Sequence, residues 1–235
     1  MHGIGTIANL ATVLLGGLIG WALGNRLPER MVEITMQAVG LATVLVGTQM
    51  AWEANTGPRF IAVLLSLVIG AWIGEGLRID DRLNALGERL KARFGRGSHG
   101  DFTRGFVTAS LLFCVGPMTV LGALQDGLRG DPSLLFTKST LDGISAIALT
   151  AGLGPGVLFS TITIVVYQGG LTLAAGLARQ VLTDPVVTLL TAAGGLMILG
   201  LGLNILQIAK LRVANLLPGL IVAGAAGLLF ATWLG

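Results

Sequence analysis

Charge, cysteine and histidine are all scarce in this chain. Only 11% of its 235 residues are charged, whereas 53% are hydrophobic. A soluble domain carries roughly 25% charged residues, so the deficit is more than twofold and argues against a soluble fold. The single cysteine, Cys114, excludes an intramolecular disulfide. The two histidines stand far apart, His2 at the N-terminus and His99 in a polar link, so there is no Cys/His cluster with metal-ligand spacing. No metal and no other cofactor is expected. An isoelectric point near 9.6 would suggest nucleic acid in a soluble protein. Here the basic residues have a simpler reading in membrane orientation, and no nucleic-acid partner is expected.

The missing charges leave long apolar runs. Asp, Glu, Lys and Arg are absent from 1–25, 34–52, 105–125, 143–178, 185–209 and 213–235. A transmembrane helix needs about 20 mostly apolar residues, and several runs reach that length. The 36 glycines fit the same environment. Glycine weakens a helix in water by about 1 kcal/mol relative to Ala. In lipid the backbone must bond to itself, and small residues let helices approach closely. Most glycines therefore read as packing residues. The first run lacks a basic leader and outlasts the core of a signal peptide, so it reads as a retained span, with Gly16, Gly17 and Gly20 suited to a packed face.

These patterns predict an all-α, polytopic membrane helix bundle, a single transmembrane domain over 1–235 with about eight spans. The first three lie near 3–24, 32–52 and 59–77, with Gly57-Pro58 turning the chain between the second and third. Residues 79–94 are different: Ile79, Leu83, Leu86, Leu90 and Phe94 share one helical face and charges occupy the rest. That pattern fits an amphipathic helix in the interface, or a solvated helix beside it. A flexible link follows at 95–100. The fourth span, near 103–124, contains Gly116-Pro117, where proline removes a backbone donor and kinks or breaks the helix. The stretch 128–132 is a polar turn.

Between Asp142 and Arg179 the uncharged run is too short for two spans and a turn at Gly152–Gly156. The fifth span must therefore reach back to about 135 and carry Lys138 and Asp142 with it, or else form a re-entrant half-span. The last three spans lie near 156–178, 186–208 and 213–234. With the N-terminus outside, 11 of the 15 Lys and Arg fall in inside loops, which favours eight crossings and both termini outside.

Spans one to three (about 3–77) resemble spans six to eight (about 156–234). Gly16-Gly17-Leu18 matches Gly169-Gly170-Leu171. Gly40-Leu41, Gly47 and Gln49 match Gly195-Leu196, Gly202 and Asn204, and Arg59 and Gly74 match Arg212 and Gly227. Two small gaps hold the register. Separation by two further spans, in the central segment of about 103–154, would make the repeats inverted, as in many secondary transporters whose sites sit at broken helices near the midplane. Compositional coincidence in a Gly/Leu-rich chain is the alternative.

Chemistry concentrates between the repeats, in FCVGPMTVLGALQDGLRGDPSLLFTKSTLDGIS from Phe113 to Ser145. Gly116 and Pro117 can free backbone carbonyls, tolerated only where protein or water satisfies them. Gln125 and Asp126 end the fourth span. Lys138 and Asp142, four apart, share one helical face, and their pairing would offset the cost of a charge in lipid. One reading is an ion or substrate site with Asp142 and Asp126, to which Lys138, Ser139, Thr140 and Ser145 add polar groups. The other places both carboxylates at the interface with Lys138 snorkelling. Tyr167 and Gln168 interrupt the sixth span and fit the same cavity. Asn9, Gln49 and Asn204 are further polar points, each equally served by interhelical hydrogen bonding. Cys114 reads as a packing residue, because no histidine lies deep in a span to activate it.

The runs FCVGPMTVLGALQDGL, GDPSLLFTKSTLDGIS and YQGGLTL, with the opening GTIANLATVLLGGLIG, resemble the bacterial inner-membrane family represented by YdfK and YqgA, a family of unknown function. The resemblance covers nearly the whole chain. It implies a transporter-like protein of the bacterial cytoplasmic membrane and assigns no functional residue. The expected function is transport or channelling of a small solute or ion, not catalysis. A membrane enzyme acting on a lipid-linked substrate, with Asp126 and Asp131 as its nearest acids, is one alternative. A non-catalytic membrane partner or sensor docking through 79–94 is the other. The expected surroundings are the lipid bilayer and the solute. Glycine-rich faces leave room for a homodimer and are equally explained within one chain.

Overall fold

The computed structural model describes residues 2–24, 26, 28–94, 100–115, 117–178 and 182–229. The predicted link at 95–99 with His99, Gly116 of the predicted break, Arg179 and the last residues of the predicted final span lie outside the described residues. In chain order the helices are α1 (Ile4–Gly24), α2 (Glu29–Ala51), α3 (Gly57–Leu77), α4 (Ile79–Phe94), α5 (Phe102–Cys114), α6 (Pro117–Arg129) and α7 (Ser133–Leu153). Then come α8 (Ser160–Ile164), α9 (Gly170–Leu173), α10 (Ala175–Ala178), α11 (Asp184–Ile205) and α12 (Pro218–Leu229). Among the described residues there is no strand.

The all-α membrane bundle expected from composition is what the chain forms. Among the described residues five helices are long and apolar enough to cross a bilayer, or six when α5 and α6 count as one broken span. Two stretches separate that number from the eight expected. Helix α7 has the length, 21 residues, but carries Lys138 and Asp142. Val213–Leu229 is apolar but shorter. Many large apolar side chains face outward, among them Trp72, Ile221 and Leu173, as helices dissolved in hydrocarbon require.

The chain forms two compact units. The first comprises Met1–Val39, Leu83–Cys114 and Met118–Gly176. Its axis is the pairing of α1 with α7. Gly16, Gly20 and Gly24, each four residues apart, face the backbone carbonyls of Gly143, Ile147 and Ala151 in turn. A Cβ at any of the three would collide with that backbone, so glycine is what permits the close approach. The contacts advance together along both helices, so α1 and α7 run parallel. The segment after α7 turns back at Gly154, whose φ of 88° favours glycine. It passes α1 the other way, with Leu158 beside Gly17 and Thr172 beside Thr6. Helix α5 lies inside this unit, with Phe102, Phe106 and Phe113 wholly buried.

The second unit comprises Gly40–Arg82, Val115–Pro117 and Leu177–Gly235. Here the C-terminal part of α2 crosses α11, and α3 lies along α12. Gly40 meets Ile205 and Leu206, while Gly195 meets Met50 and Ala51. Gly47 meets Gly195 and Leu199, while Gly202 meets Gly40 and Val44. An offset of 155 residues relates Gly40 to Gly195 and Gly47 to Gly202, and the same offset converts each of these contacts into another. Both pairings are antiparallel, since Gly70 meets Gly219 and Gly74 meets Asn215 further back. Val63, Leu189, Ala192, Ala193 and Ala223 form the apolar core of the unit.

Candidate functional site

Polar side chains converge inside the first unit, where α1, α7 and the segment from Ser160 to Leu173 meet. Asn9 of α1 and Gln168 are fully buried, and Lys138 and Asp142 of α7 nearly so. Lys138 and Asp142, one turn apart, form a salt bridge through Asp142 Oδ2. Asn9 Nδ2 donates to the same carboxylate oxygen at 3.1 Å and to Gln168 Oε1 at 2.9 Å. Gln168 Nε2 donates to Thr6 Oγ1 at 3.2 Å, and the Thr6 and Thr172 hydroxyls lie 3.2 Å apart. A single chain of hydrogen bonds thus links three helical passes.

Local structure explains how Gln168 reaches this chain. Residues Val165–Gly169 form a π-helical turn inside the span. The extra residue per turn shifts the helical face, a feature often found at functional sites. Gln168 points inward, while its neighbour Tyr167 is exposed. The pairing expected from the sequence, with both residues facing one cavity, is therefore split. Ser139 is buried but returns its hydroxyl to the Leu135 carbonyl at 2.6 Å. Ser145 and Gln125 are half-buried and Thr140 is exposed.

Asp126 occupies a separate position. Its carboxylate accepts from the backbone N–H of Gly3 at 3.1 Å and of Gly5 at 3.0 Å, and its carbonyl lies 3.2 Å from His2 Nδ1. A helix begins with unsatisfied N–H groups and a partial positive charge, and a carboxylate borrowed from α6 meets both at the start of α1. Asp126 therefore lies about one turn along α1 from Asn9. On the present geometry it caps α1.

The predicted break in the fourth span is real in its consequence. Helix α5 ends at Cys114, α6 begins at Pro117, and the two directions differ by 59°. The Phe113 carbonyl freed by the break accepts from Thr119 Oγ1 at 3.2 Å. Cys114 is buried. Gln49 and Asn204 belong to the second unit. Gln49 is exposed. Asn204 clamps Leu211, accepting from its N–H and donating to its carbonyl, both at 2.8 Å. That clamp closes the turn after α11.

Among the described residues no group of three or more His, Cys, Asp or Glu gathers as a metal site would need. Outside the spans, Asp131 precedes α7 and accepts from the Ser133 hydroxyl at 2.6 Å and the Ser133 N–H at 3.1 Å. These bonds, the hydroxyl first, hold its carboxyl below the usual carboxylate range.

Residues 4–227 match the family described as "Protein of unknown function (DUF554)". The chain is 31% identical over 219 residues to the uncharacterized membrane protein YdfK of Bacillus subtilis (strain 168), covering 93% of each chain. It is 32% identical over 235 residues to the uncharacterized protein YqgA of Escherichia coli (strain K12), covering 98% of each. No solved structure matches. The chain is thus an integral membrane protein that belongs to the DUF554 family.

Proposed function

We propose that this protein is a transporter or channel for a small solute or ion, and that the cluster of Asn9, Lys138, Asp142 and Gln168 is its site. The observation that carries this reading is a buried acid–base pair joined to two buried amides between apolar helices. Placing one charge at the bilayer centre costs about 2.5–3.5 kcal/mol on insertion scales. Packing alone does not need that cost, because glycine already joins α1 to α7 along the rest of their length. Ionisable groups inside membranes commonly mark ion and solute paths. The bend between α5 and α6 and the π turn at Gln168 add the interrupted helices on which such sites are built.

Helix directions support an architecture of eight alternating passes with inverted repeats. A first and a fifth crossing run the same way, as α1 and α7 do. A second and a seventh run opposite ways, as do a third and an eighth, which fits the antiparallel pairs α2 with α11 and α3 with α12. The reciprocal glycine contacts at an offset of 155 residues support a two-fold relation between these repeats. In this reading the protein lies in the bacterial cytoplasmic membrane with both termini outside, as the loop charges favour.

Flux through proteoliposomes carrying the full chain tests the function. A panel of ions and small metabolites is expected to yield at least one saturable flux that Asp142→Asn reduces by about tenfold or more, on the scale of a lost charged contact. A flux unchanged in Asp142→Asn would remove the proposed site, and no flux for any solute in the panel would remove the transport reading.

A further inference from the structure

The cluster is not closed on itself. Lys138 and Asn9 both donate to Asp142 Oδ2. Among the described residues Asp142 Oδ1 receives no hydrogen bond. The Asn9 side chain is fully buried, and among the described residues its Oδ1 has no partner. The orientation of that amide is fixed by chemistry, because turning it over would set its oxygen against a carboxylate and against the Gln168 carbonyl oxygen. Two oxygens, one anionic and one neutral, are therefore left as acceptors on the two side chains that Asn9 Nδ2 joins. A buried unpaired acceptor needs a donor or a cation. An anion would find two oxygens and an ammonium already engaged. Hard oxygen ligands of low total charge suit a small monovalent cation better than a divalent one.

We propose that a small monovalent cation binds between Asp142 Oδ1 and Asn9 Oδ1, and that the Lys138 ammonium is a tethered competitor for the same carboxylate. Gln168, held by the π turn, fixes the Asn9 amide from the far side. The other charged group at the site is Lys138 itself. Helix α1 brings no ionisable side chain, and α5 brings Cys114 within electrostatic reach of the pair. This ion assignment rests on the transport reading only for its role as coupling or cargo ion. The binding itself stands apart from transport.

Sodium-22 binding to the purified full chain in nanodiscs, at fixed pH with N-methylglucamine as the replacing cation, tests it directly. The native chain should bind sodium weakly, and Lys138→Gln should bind it about tenfold more tightly, because the built-in competitor is gone. Lys138→Arg, which keeps a tethered cation, should behave as the native chain does. Asp142→Asn should lose saturable binding, and Asn9→Ala should weaken it in the Lys138→Gln background. Equal sodium binding in Lys138→Gln and the native chain, or saturable binding that survives Asp142→Asn, overturns the proposal. If Lys138→Gln does not remain monodisperse, the native chain decides. Sodium should raise its unfolding midpoint relative to N-methylglucamine, and an equal midpoint in both cations overturns the proposal. The two readings fail differently. Asp142-dependent sodium binding without any solute flux keeps the ion site and removes transport, whereas Asp142-dependent flux without sodium binding does the reverse.

Discussion

Asn9 holds the candidate site together with a single nitrogen. Its Nδ2 serves both Asp142 and Gln168, so replacement by leucine strips a buried carboxylate and a buried amide oxygen of one donor each. Interhelical hydrogen bonds in membranes average only about 0.6 kcal/mol. Leaving buried acceptors short costs more, about 1–3 kcal/mol, and that larger effect should govern. Asn9→Leu is expected to lower the thermal unfolding midpoint of the protein in detergent well beyond what Thr140→Val does at an exposed position. Asp126 predicts a different pattern. Its carboxylate caps the first turn of α1, so Asp126→Ala should cost about 1–2 kcal/mol of stability while leaving the affinity for a transported solute unchanged. A rise in the apparent KM of that variant, with stability intact, would return Asp126 to the site. The spacing of Lys138 and Asp142 made their pairing legible in the sequence. The importance of Asn9 was not, because its partners lie 133 and 159 residues away.

Among elements, the seam between α1 and α7 sets the sharpest requirement. A side chain at Gly20 meets the Ile147 backbone, which cannot move aside as a flexible side chain could. Gly20→Val should destabilise the protein by at least about 1–3 kcal/mol, the usual range for overpacking, seen as a lowered unfolding midpoint or loss of monodisperse protein. A methyl group added at Gly76 of α3 would meet nothing within 4 Å. Gly76→Ala should therefore be neutral or stabilising by up to about 1 kcal/mol, the helix-propensity difference. Before α7, Asp131 accepts two hydrogen bonds from Ser133, which hold its carboxyl below its unfolded value. Its contribution is present above the unfolded pKa of about 3.9 and fades as pH falls through the lower folded value. Carboxyl NMR of the native chain should show that depressed titration, and Ser133→Ala should raise it. Span positions were readable because charge-free runs mark them. The break after Cys114 was readable from Pro117. The π turn was not, since Val165–Gly169 contains no residue that forces an extra backbone step. It is evident only from which of Tyr167 and Gln168 turns inward.

On the scale of the whole molecule, the helix directions within each unit are those the proposed path of eight alternating passes requires. The proposed repeat rests in the sequence on Gly and Leu matches, which are common in such a chain. Paired glycine contacts give those matches a physical reason, because Gly40 and Gly47 of α2 and Gly195 and Gly202 of α11 each meet the facing helix. If both termini lie outside, alkaline phosphatase fused after Gly235 should be active and a fluorescent protein there dark; the reverse pattern would mean an odd number of crossings or the opposite orientation. A transport site at the buried cluster must open to water during function. Thr6 lies between Gln168 and Thr172 and is only partly buried. In a Cys114→Ser background, Thr6→Cys should react with a charged methanethiosulfonate reagent in intact proteoliposomes, and the transported solute should slow that reaction. A folded protein whose Thr6→Cys stays unreactive from both faces of the membrane would mean a sealed, structural cluster and no transport through it.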